Sequence, residues 1–183
     1  MKRNLTILFI LLITSSIFTG CLTIEKKEYS FEMTGKNSGK LTIKYVNIMS
    51  SEGDSLQAVN ADFDELTSSY MMGDKLQNDY PNATNIQKRL FEENGVLCGE
   101  VTMSFPNLAA VKLYQYDTKS PFMLSLGFLD SETFAESNGK HGGDVMPIVF
   151  WDKKLKKLTL TTNVTKPSEK TLSLLEKYNR WKK

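Results

Sequence analysis

Polar and apolar residues alternate along several short stretches of this chain, and the alternation predicts β-hairpins. One alternation runs through residues 29–33 and another through 41–45, on either side of a turn at 35–39 that begins and ends with glycine. A period of two is typical of a strand that buries one face against a core. The first predicted hairpin therefore turns around 35–39.

A second hairpin is predicted over 85–93 and 96–105. Its turn is Asn94-Gly95, which suits a type I′ turn because both central positions need a positive φ. Further along, residues 122–129 predict a buried strand, 133–136 is expected to pair with 145–151, and 157–164 alternates again.

Helices are predicted in two places. Asp62-Phe63-Asp64-Glu65 resembles a helix start and predicts a helix over about 62–78. Near the C-terminus, Ser168 is placed as the N-cap of a helix whose apolar side holds Leu174, Leu175, Tyr178 and Trp181.

These elements predict an α+β fold. We expect an antiparallel sheet of about six to seven strands, built from hairpins and packed against two or three helices, including a C-terminal amphipathic helix. No repeat and no linker rich in Ser, Gly or Pro interrupts the chain, so residues 29–183 are expected to form a single domain.

The first 20 residues have the layout of a secretory signal. Lys2 and Arg3 precede an apolar run at 5–18, and small residues follow it. As a helix, 14 residues span roughly 21 Å at ~1.5 Å each, which is less than the ~30 Å core of a bilayer. The run is therefore too short for a lasting transmembrane helix.

Phe18-Thr19-Gly20-Cys21 resembles the lipobox of bacterial lipoproteins. The resemblance implies that the Cys21 sulfur receives a diacylglyceryl group and that a peptidase removes residues 1–20. Cys21 would then be a membrane anchor, and residues 21–28 the lipidated cysteine and a short polar tether of at most ~25 Å. The expected location is the cell envelope, periplasmic or at the cell surface. An ordinary cleaved signal with a chance cysteine is the alternative.

Charge adds a second candidate surface. Without the signal, which holds two basic residues and no acidic one, the chain has 21 basic and 21 acidic residues, so no nucleic-acid partner is expected. Residues 153–183 alone carry a formal charge of +8. This excess either balances the rest of the fold or meets anionic lipid or an acidic partner. The candidate membrane or partner contacts are Lys153, Lys154, Lys156, Lys157, Trp181, Lys182 and Lys183.

Signatures of enzymes and metal sites are mostly absent from the sequence. His141 is the only histidine, and Cys98 is the only thiol left once Cys21 is lipidated, so a zinc site of the usual composition cannot form. The glycine-rich loop around His141 lacks the pattern of a phosphate-binding loop, and Cys98 is expected to be buried and inert. The sequence therefore predicts no catalytic residue, no metal and no cofactor.

The remaining chain is similar in outline to the LppM-type lipoproteins of mycobacteria. The similarity consists of the lipobox, the hairpin at 29–49, a polar helical stretch, the second hairpin running into Ser104-Phe105, and a terminal pair of strands. It implies recognition of a lipid or glycolipid and transfers no binding residue. The expected function is a membrane-anchored, non-catalytic binding or scaffolding domain. An envelope-assembly subunit that binds another protein, or an unrecognised hydrolase, remains the alternative.

Overall fold

The computed structural model describes residues 21–129 and 131–183, so the predicted signal at 1–20 lies outside the described residues. The strands in the described residues are β1 (Leu22–Met33), β2 (Gly39–Ser50), β3 (Thr84–Glu93), β4 (Val96–Phe105), β5 (Phe122–Ser125), β6 (Thr133–Ser137), β7 (Lys140–His141), β8 (Ile148–Trp151), β9 (Lys157–Asn163) and β10 (Leu172–Ser173). The helices are α1 (Leu56–Glu65), which continues as a π-helix over Leu66–Met72, α2 (Lys75–Asp79) and α3 (Leu175–Trp181), with 3₁₀ turns at Leu108–Val111 and Leu126–Phe128.

Seven of these strands form one antiparallel sheet in the order β3-β4-β2-β1-β9-β6, with β10 paired to the end of β2. A smaller sheet has the order β5-β8-β7. The α+β class, the antiparallel sheet and the presence of a C-terminal helix are confirmed.

Both predicted hairpins are present. Met33 pairs with Gly39 across the first turn, and Glu93 pairs with Val96 across the second. Asn94 and Gly95 have φ values of 51° and 76°, as a type I′ turn requires.

The predicted pairing of 133–136 with 145–151 is wrong. β6 instead pairs with β9, whereas β8 lies between β5 and β7 in the small sheet. Gly142 N donates to Ile148 O at 2.9 Å, so the glycine-rich loop closes a short β7–β8 hairpin. Local spacing favoured the nearest partners in the chain, but the two strands belong to different sheets.

Both helix starts differ from the predicted ones. α1 begins at Leu56, because Ser55 Oγ caps it by accepting from Ala58 N at 3.2 Å. The C-terminal helix begins at Leu175 and not after Ser168, since residues 172–173 form β10 on the end of β2. Tertiary pairing replaces the first two predicted turns of that helix.

Residues 22–28, predicted as a polar tether, are strand residues of β1 paired with β2. Leu22 pairs with Ser50, so β1 begins one residue after Cys21. The tether prediction is therefore wrong. Among the described residues, no helix has both the length and the apolar character needed to cross a membrane.

One face of the large sheet carries two groups of buried apolar side chains. The larger group includes Phe31 and Trp151 and lies toward the small sheet. The smaller group is formed by Ile48, Val59, Phe63, Leu66, Leu97 and Leu174, and it lies under α1 and the start of α3. Tyr45 and Tyr70 are only partly buried and contact both groups, so they mark the junction between them.

Candidate functional site

A partly open cavity of about 250 Å³ lies at the junction between the two apolar groups. At ~30 Å³ for each molecule in the liquid, that volume equals roughly eight waters. Strands β1 to β4 form its floor, and the helical segment 56–79 covers it. The lining includes Leu22, Ile24, Tyr45, Ile48, Leu66, Tyr70, Met71, Leu76, Leu90, Gly99 and Val101.

Two features of the sequence make room for this cavity. Gly99 lies on β4 between Ile48, Leu90 and Tyr45, and a Cβ there would approach Ile48 Cδ1 to 3.2 Å. Above it, Tyr70 and Met71 come from the π-helical stretch. A π-helix is rare in proteins, and where it occurs it is often at a functional site. Glycine in the floor and the wider helix in the cover therefore leave space that a fully packed core would fill.

The helical cover is attached to the sheet at its far end. Lys88 Nζ, from β3, donates to the carbonyl oxygen of Gly73 at 2.7 Å and to Gln77 Oε1 at 3.3 Å. Lys75 Nζ lies 4.4 Å from the centre of the Tyr70 ring and 2.6 Å from Glu65 Oε1. These contacts position the cover above the cavity.

A polar cluster adjoins the cavity through Lys27. Its ammonium contacts Glu132 Oε1 at 2.6 Å and lies 5.7 Å from the centre of the Tyr45 ring. Glu132 is 1% exposed at its side chain and also accepts from Tyr29 Oη at 2.9 Å and from Thr162 Oγ1 at 2.5 Å. The buried carboxylate is thus fully engaged by this chain's own donors.

This environment raises the pKa of the nearby phenols. Burial, followed by the Glu132 carboxylate, raises the pKa of Tyr29, and burial raises the pKa of Tyr45 and Tyr80 as well. All three remain neutral hydrogen-bonding groups near neutral pH. The site therefore offers an apolar chamber with a few fixed polar groups, which is the usual character of a small-ligand site.

Cys21 lies beside the same end of the sheet. Its backbone N donates to Asp62 Oδ1 of α1 at 2.9 Å, and the next three residues, 22–24, all line the cavity. Partial burial, together with the Glu52 and Asp62 carboxylates, raises the pKa of the Cys21 thiol. A raised pKa disfavours the reactive thiolate.

The predicted basic surface divides into two groups. Lys156 O accepts from Met33 N and Lys157 pairs with Glu32, so the lysines at 153–157 lie at the far end of β1 from Cys21. That strand advances roughly 36 Å at ~3.3 Å per residue. At the far end, a surface cleft of about 310 Å³ is lined by Lys36, Lys153, Lys154 and Lys156, among others.

Trp181, with Lys182 and Lys183 after it, lies at the Cys21 end. Its ring contacts Phe63 edge-on at 6.3 Å, next to Asp62, and the residue is 50% exposed. The structure therefore brings the Trp181 group toward Cys21 and does not bring the Lys153–Lys157 group there.

The other residues considered from the sequence have structural surroundings. Cys98 is fully buried, as expected, and burial raises the pKa of its thiol. His141 is a β7 residue stacked on Phe134 at 4.2 Å between ring centres. Asp62 is buried, whereas Asp64 is exposed on the same helix. In the described part of the chain, no group of three or more His, Cys, Asp or Glu side chains is arranged to hold a metal ion.

Sequence reasoning identified neither the residues that line the cavity nor the Glu132 cluster. The only local signals were a glycine in the middle of a strand at Gly99 and the small and polar residues around Gly73. Comparison with protein-family models, with curated proteins and with solved structures finds no match to this chain.

Proposed function

We propose that this chain is a membrane-anchored cell-envelope lipoprotein whose domain binds the apolar part of a lipid or glycolipid without catalysing a reaction. Cys21 is the lipidated residue, and residues 1–20 are the removed signal. The observation that carries the proposal is the 250 Å³ apolar cavity between the sheet and helical segment 56–79.

The position of the cavity favours a ligand drawn from a membrane. Residues 22–24 line it, so it begins within roughly 10 Å of Cys21 at ~3.3 Å per strand residue. A lipidated Cys21 without a tether holds this end of the domain at the bilayer. An acyl chain could then pass between bilayer and cavity over a short distance.

The polar neighbours of the cavity indicate where a headgroup would lie. Lys27, Asp79, Arg89 and Glu100 belong to its lining, and Lys27 and Arg89 already pair with Glu132 and Glu100. Charges of both signs suit a polar or zwitterionic headgroup at the rim with the acyl chain inside. Trp181, Lys182 and Lys183 are proposed to contact the bilayer surface, where tryptophan and lysine are favourable.

The binding test uses two tryptophan substitutions. Leu90→Trp adds volume at the cavity, whereas Phe128→Trp is its control, because Phe128 is 64% exposed and does not line the cavity. Dansyl-labelled undecanoic acid should bind to the Cys21→Ser protein and to its Phe128→Trp derivative, and binding should fall at least tenfold with Leu90→Trp. Equal affinity in all three proteins, or none in any of them, would contradict lipid binding in the cavity.

The anchor has its own test in the cell. Cys21→Ser should move the protein from the membrane to the soluble fraction and leave the signal uncleaved or cleaved elsewhere. Cys98→Ser is the matched control and should leave the protein in the membrane fraction. Retention of the Cys21→Ser protein in membranes would overturn the lipoprotein assignment.

A protein-interaction subunit is the second candidate, and the edge of the large sheet favours it. β3 is an outer strand of ten residues in the described sheet, and an edge strand can pair with a strand of a partner. Crosslinking of the membrane-bound protein through a cysteine at Gln87 should capture such a partner. Capture together with an empty cavity would favour this function over lipid binding.

A further inference from the structure

Asp62 is a buried carboxylate whose two oxygens have different surroundings. The residue is 2% exposed, and its Oδ1 accepts from Cys21 N at 2.9 Å. Its Oδ2 is buried and has no hydrogen-bond partner among residues 21–129 and 131–183. One half of this carboxylate is therefore unpaired, at the nitrogen of the residue predicted to become the N-terminus.

No cation compensates Asp62 within the described residues. The ion pairs there involve other acids, and a second carboxylate, Glu52, also faces Cys21 from the segment after β2. Burial of an unpaired carboxylate is strongly unfavourable, and a second negative charge increases the cost. The site lacks one positive charge and one hydrogen-bond donor.

Removal of the signal would supply both the positive charge and the hydrogen-bond donor that Asp62 lacks. Hydrolysis of the Gly20–Cys21 peptide bond consumes one water, leaves a carboxylate on Gly20, and converts the Cys21 amide nitrogen into an amine. The protonated amine carries one positive charge and three N–H donors, whereas the amide has one N–H and no charge. The new charge would form at the atom that already lies 2.9 Å from Asp62.

We infer that Asp62 is the binding site for the free α-ammonium group of Cys21 in the mature chain. One N–H donates to Oδ1 and a second to Oδ2, and Glu52 adds a further negative charge. This inference rests on the proposed cleavage before Cys21. It also implies that the mature amine is left unacylated, because an N-acyl group would remove the charge and two of the three donors.

The test measures the pKa of this amine directly. The chain 21–183 with Cys21→Ser is released by a protease that leaves residue 21 first, and its amine is acetylated with acetic anhydride across a pH series. An ordinary α-amine has a pKa of about 7.7–8.0. We expect the pKa to rise by at least about one unit, so that acetylation at pH 7, where both amines are mostly protonated, is roughly tenfold slower than for an unfolded peptide.

Two substitutions in α1 separate a specific contact from a general charge effect. Asp62→Asn should return the pKa to the ordinary range, whereas Asp64→Asn, which removes an exposed charge two residues away, should leave it raised. An ordinary pKa in the parent protein, or the same raised pKa with Asp62→Asn, would overturn the inference.

A second measurement remains decisive if Asp62→Asn does not fold. The parent protein with a free amine should have a higher urea midpoint than the same protein acetylated only at residue 21, and identical midpoints would overturn the inference. The amine is generated by an added protease, so this result does not depend on processing in the cell. If the anchor test fails, the measured pKa of the amine still tests the role of Asp62. If the Asp62 test fails, the anchor test still stands.

Discussion

Glu132→Gln tests whether the buried polar cluster beside the cavity stabilises the fold. Glu132 receives hydrogen bonds from Lys27, Tyr29 and Thr162 at distances between 2.5 and 2.9 Å. Glutamine keeps the shape but directs an NH₂ group at one of these donors and removes the charge. A hydrogen bond to a charged group contributes about 1.5–3 kcal/mol, and Lys27 loses its partner. We expect the free energy of unfolding to fall by about 2–4 kcal/mol.

The expected loss is smaller than that for a fully buried ion pair, because the Lys27 side chain is 24% exposed and can regain water. Urea unfolding followed by tryptophan fluorescence measures it, since Trp151 lies in the core against Phe31. Glu136→Gln removes an exposed carboxylate from β6, the strand that follows Glu132, and should change stability by less than about 0.5 kcal/mol.

A double-mutant cycle tests whether the loss of stability comes from the hydrogen bond between Tyr29 and Glu132. Tyr29→Phe alone should cost about 1.5–3 kcal/mol, because it removes a donor to a buried carboxylate. In the Glu132→Gln background the same change should cost at least about 1 kcal/mol less, since the charged acceptor is already gone. Additive losses, or a Glu132→Gln loss no larger than that of Glu136→Gln, would show that the cluster does not act as one unit.

Three further outcomes follow from the same structure. The folded pKa values of Tyr29, Tyr45 and Tyr80 lie above the unfolded value of about 10, so the native state holds more protons above that pH. The contribution of these phenols to stability should therefore be constant below about pH 10 and fall above it by up to roughly 1.4 kcal/mol per pH unit for each phenol, which urea unfolding measures, and Tyr80→Phe should reduce the slope. Ser55→Ala removes the α1 cap and should cost about 1 kcal/mol in the same assay, with Ser51→Ala as control. Gly39→Ala places a Cβ 2.1 Å from Glu32 O and should cost about 3 kcal/mol, whereas Gly127→Ala, whose nearest contact is 3.4 Å, should change stability little.

The hairpins were predictable because their information is local. Asn94-Gly95 and the glycines at 35 and 39 specify turns directly, and the alternation beside each turn selects the buried face. The pairing of β6 with β9 has no such signal, since about 20 residues and the small sheet separate the two strands. Antiparallel class and strand number followed from the pattern, but the division into two sheets did not.

The errors at α1 and β1 have one shared physical cause. Asp62 was interpreted as part of a helix start, but its side chain is committed to Cys21 N, and the helix begins at Ser55. Residues 22–28 were interpreted as a tether because of their charges. Lys27 nevertheless pairs with Glu132, 105 residues away in the chain, and this partner makes a charged residue compatible with the sheet. In both places a partner distant in the sequence stabilises a polar side chain in a position that local sequence pattern does not predict.

The absence of a tether constrains the orientation proposed for the domain. If Cys21 is embedded by its acyl chains, β1 starts at the bilayer and its far end lies up to roughly 36 Å away at ~3.3 Å per residue. The cavity, Asp62 and Trp181 then share the membrane side, and Lys153–Lys157 lies on the distal side. A domain on a flexible stalk could present either end to the bilayer, whereas a domain lipidated at Cys21 would present the cavity end. A lipid ligand is therefore favoured by the position of the cavity as well as by its apolar lining.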